Sequence, residues 1–143
     1  MKKIFLIFTI FVSVGCAGNQ QAQNTDPSKE KIIAKNKQTA TLNEVTSITQ
    51  TAQKIEKEGR AMESYRYLTK AADVQRCNSI AADEQKQVQE LADRITKLPE
   101  NYKTILTPIT DDLNDCVSCT KKAIDSCVKS RASINGAIKQ LYS

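Results

Sequence analysis

The chain has 143 residues, with 21 lysines and arginines against 16 aspartates and glutamates, five cysteines and no histidine. Without imidazole there is no Ser-His or Cys-His nucleophile pair and no imidazole metal ligand, which leaves thiols and carboxylate pairs to inspect for chemistry. All three phenylalanines (Phe5, Phe8 and Phe11) lie near the start and tryptophan is absent, so a core farther along must be built from aliphatic residues and four tyrosines.

Lys2 and Lys3 are followed by an apolar run over residues 4–14, then Gly15 and Cys16. A basic start, a short apolar stretch and a small residue before a cut mark a secretory signal. The run is far short of the roughly 20 apolar residues that cross a bilayer, so residues 1–15 read as a removable signal. The ending Ser13-Val14-Gly15-Cys16 resembles the lipobox of bacterial lipoproteins, with Ser13 standing where that family has Leu, Val or Ile. The resemblance implies that Cys16 is diacylated, becomes the new N-terminus and holds the chain on a membrane. Ala17 behind it is compatible with sorting to the outer membrane, where the organism has one. Ordinary cleavage after Ala17 is the competing reading and would release a soluble protein.

Removing Lys2 and Lys3 leaves 19 basic groups against 16 acidic ones, and no block of five like charges occurs. A nucleic-acid binder carries a clustered basic footprint, often with aromatic stacking platforms, and none is present. Residues 17–31 hold no apolar side chain larger than alanine and cannot bury enough surface to offset the entropy of ordering. With Cys16 they form a flexible tether over residues 16–31, and residues 32–143 form the folded domain.

Leu42, Val45, Ile48, Ala52 and Ile55 recur at helical spacing and predict a helix ending near Gly59. A second pattern runs through Met62, Tyr65, Leu68, Ala71 and Val74. Ala52, Ile55, Gly59, Leu68 and Ala71 together resemble one tetratricopeptide repeat, although Ser64 stands where that family has alanine and no second unit follows. That resemblance implies a peptide groove near Tyr65 and Leu68; a plain antiparallel helical hairpin explains the same residues. Asn78 and Ser79 offer N-cap side chains for a third segment through Val88, Leu91, Ile95 and Leu98, which equally well continues the second helix. Beyond a short connection holding Tyr102, Ile105 and Leu106, Thr107-Pro108 reads as an N-cap with proline at the first helical position. From there Leu113, Val117, Thr120, Ile124, Cys127, Arg131, Ile134, Ile138 and Leu141 alternate steps of four and three, which predicts one long helix interrupted only by the cost of Gly136.

With Cys16 acylated, Cys77, Cys116, Cys119 and Cys127 remain, and an even number in an exported chain predicts two disulfides. On one continuous helix Cys116 and Cys127 stand about 16 Å apart and Cys119 and Cys127 about 12 Å. A bridge needs Cα atoms within about 7 Å. The spacing therefore predicts Cys77 with Cys127 and Cys116 with Cys119. A helix that starts after Cys119 would instead favour Cys77 with Cys116 and Cys119 with Cys127. The Cys116-Val-Ser-Cys119 motif and the three clustered cysteines also admit a redox or metal role as thiols, with Cys77 as a remote fourth ligand. Asp111 and Asp112 are adjacent acids, but consecutive helix residues diverge and the first turn of a helix favours them without catalysis.

The expectation is a small all-α bundle of about four helices behind a signal and tether, anchored through Cys16 in the cell envelope. Its function is non-enzymatic, structural or protein-binding, with no cofactor, no metal and no nucleic acid. The alternative is a thiol-based metal-binding or redox protein.

Overall fold

The helical periodicity is realised as α1 (Pro27–Ala61), a short 3-10 helix (Met62–Tyr67), α2 (Ala71–Thr96), α3 (Glu100–Cys116) and α4 (Ala123–Tyr142). These are seen in a computed structural model that describes residues 27–67 and 69–142. Residues 1–26, which include the expected signal, Cys16 and the first part of the expected tether, lie outside the described residues, as do Leu68 and Ser143. The four helices run alternately up and down. Arg94 late in α2 meets Glu44 midway along α1, Arg131 of α4 meets Glu56 late in α1, and Tyr142 at the end of α4 reaches back to Thr46.

The core is aliphatic, as the composition requires. Val45, Ile48, Ala52 and Ile55 of α1 pack with Val88, Leu91 and Ile95 of α2, Leu106, Ile109 and Leu113 of α3, and Ile134 and Ala137 of α4. Leu98 and Val117 close the cluster from the two turns. Burying one such side chain contributes about 1.5–3 kcal/mol, so this set supplies the main driving force for folding. A smaller cluster of Met62, Cys77 and Ala81, with Tyr65, Ile80 and Cys119 against it, sits at one end.

Several boundaries differ from the sequence-based expectations. α1 starts at Pro27, so residues 27–31 are helical rather than tether. Proline suits a first helical turn, where its missing N–H is not needed. The stripe of α1 begins to bury at Val45, while Leu42 is 37% exposed. Gly59 lies within the last turns of α1 and is buried, not at the helix end. The predicted second helix is split: the 3-10 helix occupies its first half, and α2 then runs unbroken from Ala71, with Asn78 and Ser79 exposed in its interior instead of capping a third helix. α3 starts at Glu100, so Tyr102, Ile105 and Leu106 are helical and Pro108 lies inside the helix. Both Thr107 and Pro108 face solvent, where the carbonyl group that loses its partner to proline can bond water.

The largest difference is the predicted long helix. α3 stops at Cys116 and α4 begins at Ala123, so residues 117–122 form a corner that folds α4 back along α3. Of the two stripe residues in the corner, Val117 is buried in the core and Thr120 is exposed. Val117, Ser118, Cys119 and Thr120 are four consecutive poor helix formers, a cue that the apolar periodicity masks.

Gly136 is exposed within α4, and a Cβ there meets nothing within 4 Å, whereas a Cβ on Gly59 would lie 2.6 Å from Cys116 Sγ and 3.2 Å from the Cys116 carbonyl oxygen. Gly136→Ala is therefore expected to raise stability by about 0.5–1 kcal/mol. Gly59→Ala is expected to lower it by about 1–3 kcal/mol through overpacking. Chemical denaturation of both variants beside the parent chain checks the two signs.

Candidate functional site

The corner at residues 117–122 gathers all four described cysteines. Cys77 of α2 bridges to Cys119 with Cα atoms 6.0 Å apart, and Cys116, the last residue of α3, bridges to Cys127 of α4 with Cα atoms 4.5 Å apart. This corrects both expected pairings. The reversal of the chain at residues 117–122 brings together Cys116 and Cys127, which a continuous helix would hold about 16 Å apart. The bridges close intervals of 42 and 11 residues, worth about 4 and about 3 kcal/mol in the chain-entropy model. They leave these four sulfurs paired, and among the described residues no group of three or more His, Cys, Asp or Glu side chains is placed to hold a metal ion.

A residue that pattern-reading passed over completes the corner. Arg66, in the 3-10 helix, is buried and donates from Nη2 to the carbonyl oxygens of Gly59 at 2.7 Å and Cys116 at 2.5 Å, and from Nε to that of Ser118 at 3.0 Å. The last carbonyls of a helix have no partner within it and carry the negative end of its dipole. One guanidinium thus satisfies the C-terminal ends of α1 and α3 together, in charge-assisted bonds of about 1.5–3 kcal/mol each. Its Nη1 is buried without a partner. Burial pulls its pKa below the usual arginine value, with Glu63 and Tyr67 acting in the opposite direction. Of the flanking tyrosines, Tyr65 is half-buried against Met62, Cys77 and Ala81 with Arg76 over its ring, and Tyr67 is exposed with Lys121 over its ring. The only sequence signal for this arrangement is an arginine between two tyrosines at a helix end.

Two polar grooves lie elsewhere on the bundle. Between α2 and α3, Gln85, Gln89, Asp111, Asn114 and Asp115 line a groove of about 420 Å³. Between α1 and α4, a groove of about 450 Å³ holds Gln53, Lys57 and Asn135 around the buried Glu56. The Glu56 carboxylate pairs with Arg60 at 2.7 Å and Arg131 at 3.2 Å, which neutralises a charge that would be costly to bury alone. Asp111 and Asp112 diverge: Asp111 lines the first groove, while the Asp112 carboxylate accepts a bond from Ser133 of α4 at 2.7 Å. The two acids do not converge on a common cleft.

The residues of the tetratricopeptide resemblance fall in separate settings. Ala52 and Ile55 are core residues of α1, Gly59 is packed on Cys116, and Ala71 opens α2 and is exposed. Comparison of the chain with family models, with curated proteins and with solved structures finds no match.

Glu84 is a point of electrostatic conflict between α1 and α2. Its Oε1 accepts a bond from Gln87 at 2.9 Å, while its Oε2 is buried without a partner. Burial first, then the charges of Glu58 and Asp83, raise its pKa above the ordinary glutamate value, against opposing contributions from Gln87 and Lys54.

Two outcomes are expected from this site. In the oxidised Cys77→Ser variant, alkylation followed by tandem mass spectrometry should label Cys119; labelling of Cys127 would contradict the pairing. A raised carboxyl pKa in the folded state favours the protonated form, so ionised Glu84 lowers stability as pH rises from the unfolded glutamate pKa through the folded one. Glu84→Gln should therefore stabilise the protein at pH 7, and the gain should vanish below about pH 4, in denaturation curves recorded across that range.

Proposed function

We propose that this chain is a lipid-anchored module of the bacterial cell envelope with a structural or protein-binding role and no catalytic one. The carrying observation is the run from Lys2 to Cys16, a signal that ends in a lipobox-like Ser-Val-Gly-Cys. The fold is consistent with what such an anchor would hold. α1 begins eleven positions after Cys16, and residues 27–40 at its start are exposed throughout. At 1.5 Å per residue they form a helical stalk of about 21 Å between the anchor and the bundle. Export also accounts for the cysteines: a bundle with a lean aliphatic core gains from two cross-links that persist only in an oxidising compartment.

A non-catalytic role is supported by the polar inventory. Histidine is absent, and the buried ionisable side chains Glu56 and Arg66 are engaged in holding helices together. The grooves between α2 and α3 and between α1 and α4 are open and polar, suited to contacts with another macromolecule. The thiol-based metal or redox alternative would need the cysteines reduced, and their paired arrangement favours the structural role.

Intact mass of the membrane-extracted protein, with and without reductant, tests the reading. An acylated chain beginning at Cys16 that gains the mass of four hydrogens on reduction is expected, and Cys16→Ala should abolish the acyl mass. An unmodified chain cut after Ala17, or protein carrying bound metal and free thiols, would overturn it.

A further inference from the structure

The charge of the described chain is distributed unevenly. Residues 27–40 carry Lys29, Lys31, Lys35 and Lys37 against the single acid Glu30, whereas residues 41–143 hold fifteen basic side chains against fourteen acidic ones. The bundle is close to neutral, and the net positive charge resides on the stalk of α1. The same fourteen residues are exposed, and they include two large apolar side chains, Ile32 at 56% and Ile33 at 66% exposure. Lys29, Ile32, Ile33 and Asn36 share one helix face at spacings of three and four. That face lies about a third of a turn away from the one bearing Val45, Ile48, Ala52 and Ile55, so the stalk does not simply prolong the core stripe.

We propose that this stalk is an interaction surface for the anionic phospholipid headgroups of the membrane that holds the protein, laid against them by its lysines and seated by Ile32 and Ile33. The inference rests on the anchored reading for its biological setting. Ten residues separate Cys16 from Pro27, so the stalk of an anchored chain starts at most about 36 Å from the headgroups and can reach them. Each lysine near an anionic leaflet contributes about 1 kcal/mol, and the attraction decays within a Debye length of about 8–10 Å. The tether makes the contact intramolecular, so an attraction too weak to recruit a free protein suffices to hold the stalk down. The near-neutral bundle has no comparable pull. An anchored chain therefore keeps one orientation, with the stalk on the surface and the cystine corner at the far end of α1.

The test uses the exported chain from residue 16 carrying Cys16→Ser, which keeps every described residue and removes any acyl contribution. Its binding is measured on vesicles of phosphatidylcholine with and without phosphatidylglycerol. Binding should rise with the anionic fraction and fall with salt. The variant K29Q/K31Q/K35Q/K37Q should weaken it by at least about tenfold, and the same charge change on the bundle, K57Q/K70Q/K86Q/K129Q, should weaken it far less. Ile32→Ser with Ile33→Ser should reduce what binding survives at high salt. Adsorption independent of phosphatidylglycerol, equal losses in the two lysine sets, or self-association through the stalk without vesicle binding would each overturn the proposal. Acylation is read separately by intact mass: vesicle binding without an acyl group would leave the stalk surface standing while removing the anchor, and an acyl group without stalk binding would do the reverse.

Discussion

The guanidinium of Arg66 lies across the carbonyl oxygens of Gly59, Cys116 and Ser118, at the place where α1 and α3 both end. Helix ends are where a bundle is electrostatically weakest, because carbonyl groups there have lost their N–H partners and the dipoles of successive peptides add. Two such ends converge here, and converging negative ends repel. A single buried cation resolves both problems. A lysine would not, since a point-like ammonium cannot bridge three acceptors in the fixed fork that arginine presents. The 3-10 helix buries both Arg66 and Met62, sets Tyr65 against the Met62–Cys77–Ala81 cluster and leaves Tyr67 exposed under Lys121.

Around that cation the covalent links become intelligible. Cys116 is at once the last residue of α3, an acceptor for Arg66, a bridge partner of Cys127 and the atom group against which Gly59 is packed. Only a residue without Cβ lets α1 approach so closely. The Cys77–Cys119 bridge then ties α2 to the same corner. Hydrophobic burial is non-directional and would tolerate other ways of stacking four aliphatic helices. The corner supplies directionality, since hydrogen bonds and disulfides have defined geometry. The opposite end of the bundle relies on lighter fastenings, chiefly Arg94 with Glu44 and Ser47 and the Thr46–Tyr142 hydroxyl pair.

Charge is used differently in the two parts of the chain. Inside the bundle it is spent locally: Glu56 on Arg60 and Arg131, Glu44 on Arg94, Asp112 on Ser133. Glu84 has a buried oxygen without a hydrogen-bond partner, and the charges of Glu58 and Asp83 add to burial in raising its pKa. Along the first fourteen residues of α1 four lysines stand against the single acid Glu30. The bundle is thus nearly balanced in charge, while the start of α1 is net positive and exposed.

Composition and periodicity determined the class of this fold, because an apolar residue every three or four positions can bury one face only as a helix, and because a chain without tryptophan, and without phenylalanine beyond Phe11, has mainly aliphatic side chains to pack. Val45, Ile48, Ala52, Ile55, Val88, Leu91, Ile95, Leu113 and Ile134 were legible in this way and are buried. The prediction that the four cysteines pair off was equally legible. Which cysteine meets which was decided by tertiary structure alone. Pairing depended on whether the chain turned at residues 117–122, and the apolar stripe runs through that corner as if it were helix. The turn is fixed by partners remote in sequence, Arg66 on the carbonyls of Cys116 and Ser118 and Cys77 on Cys119. A local period carries no information about contacts between residues more than forty positions apart, and for that reason the helices could be read from the sequence while the corner that orders them could not.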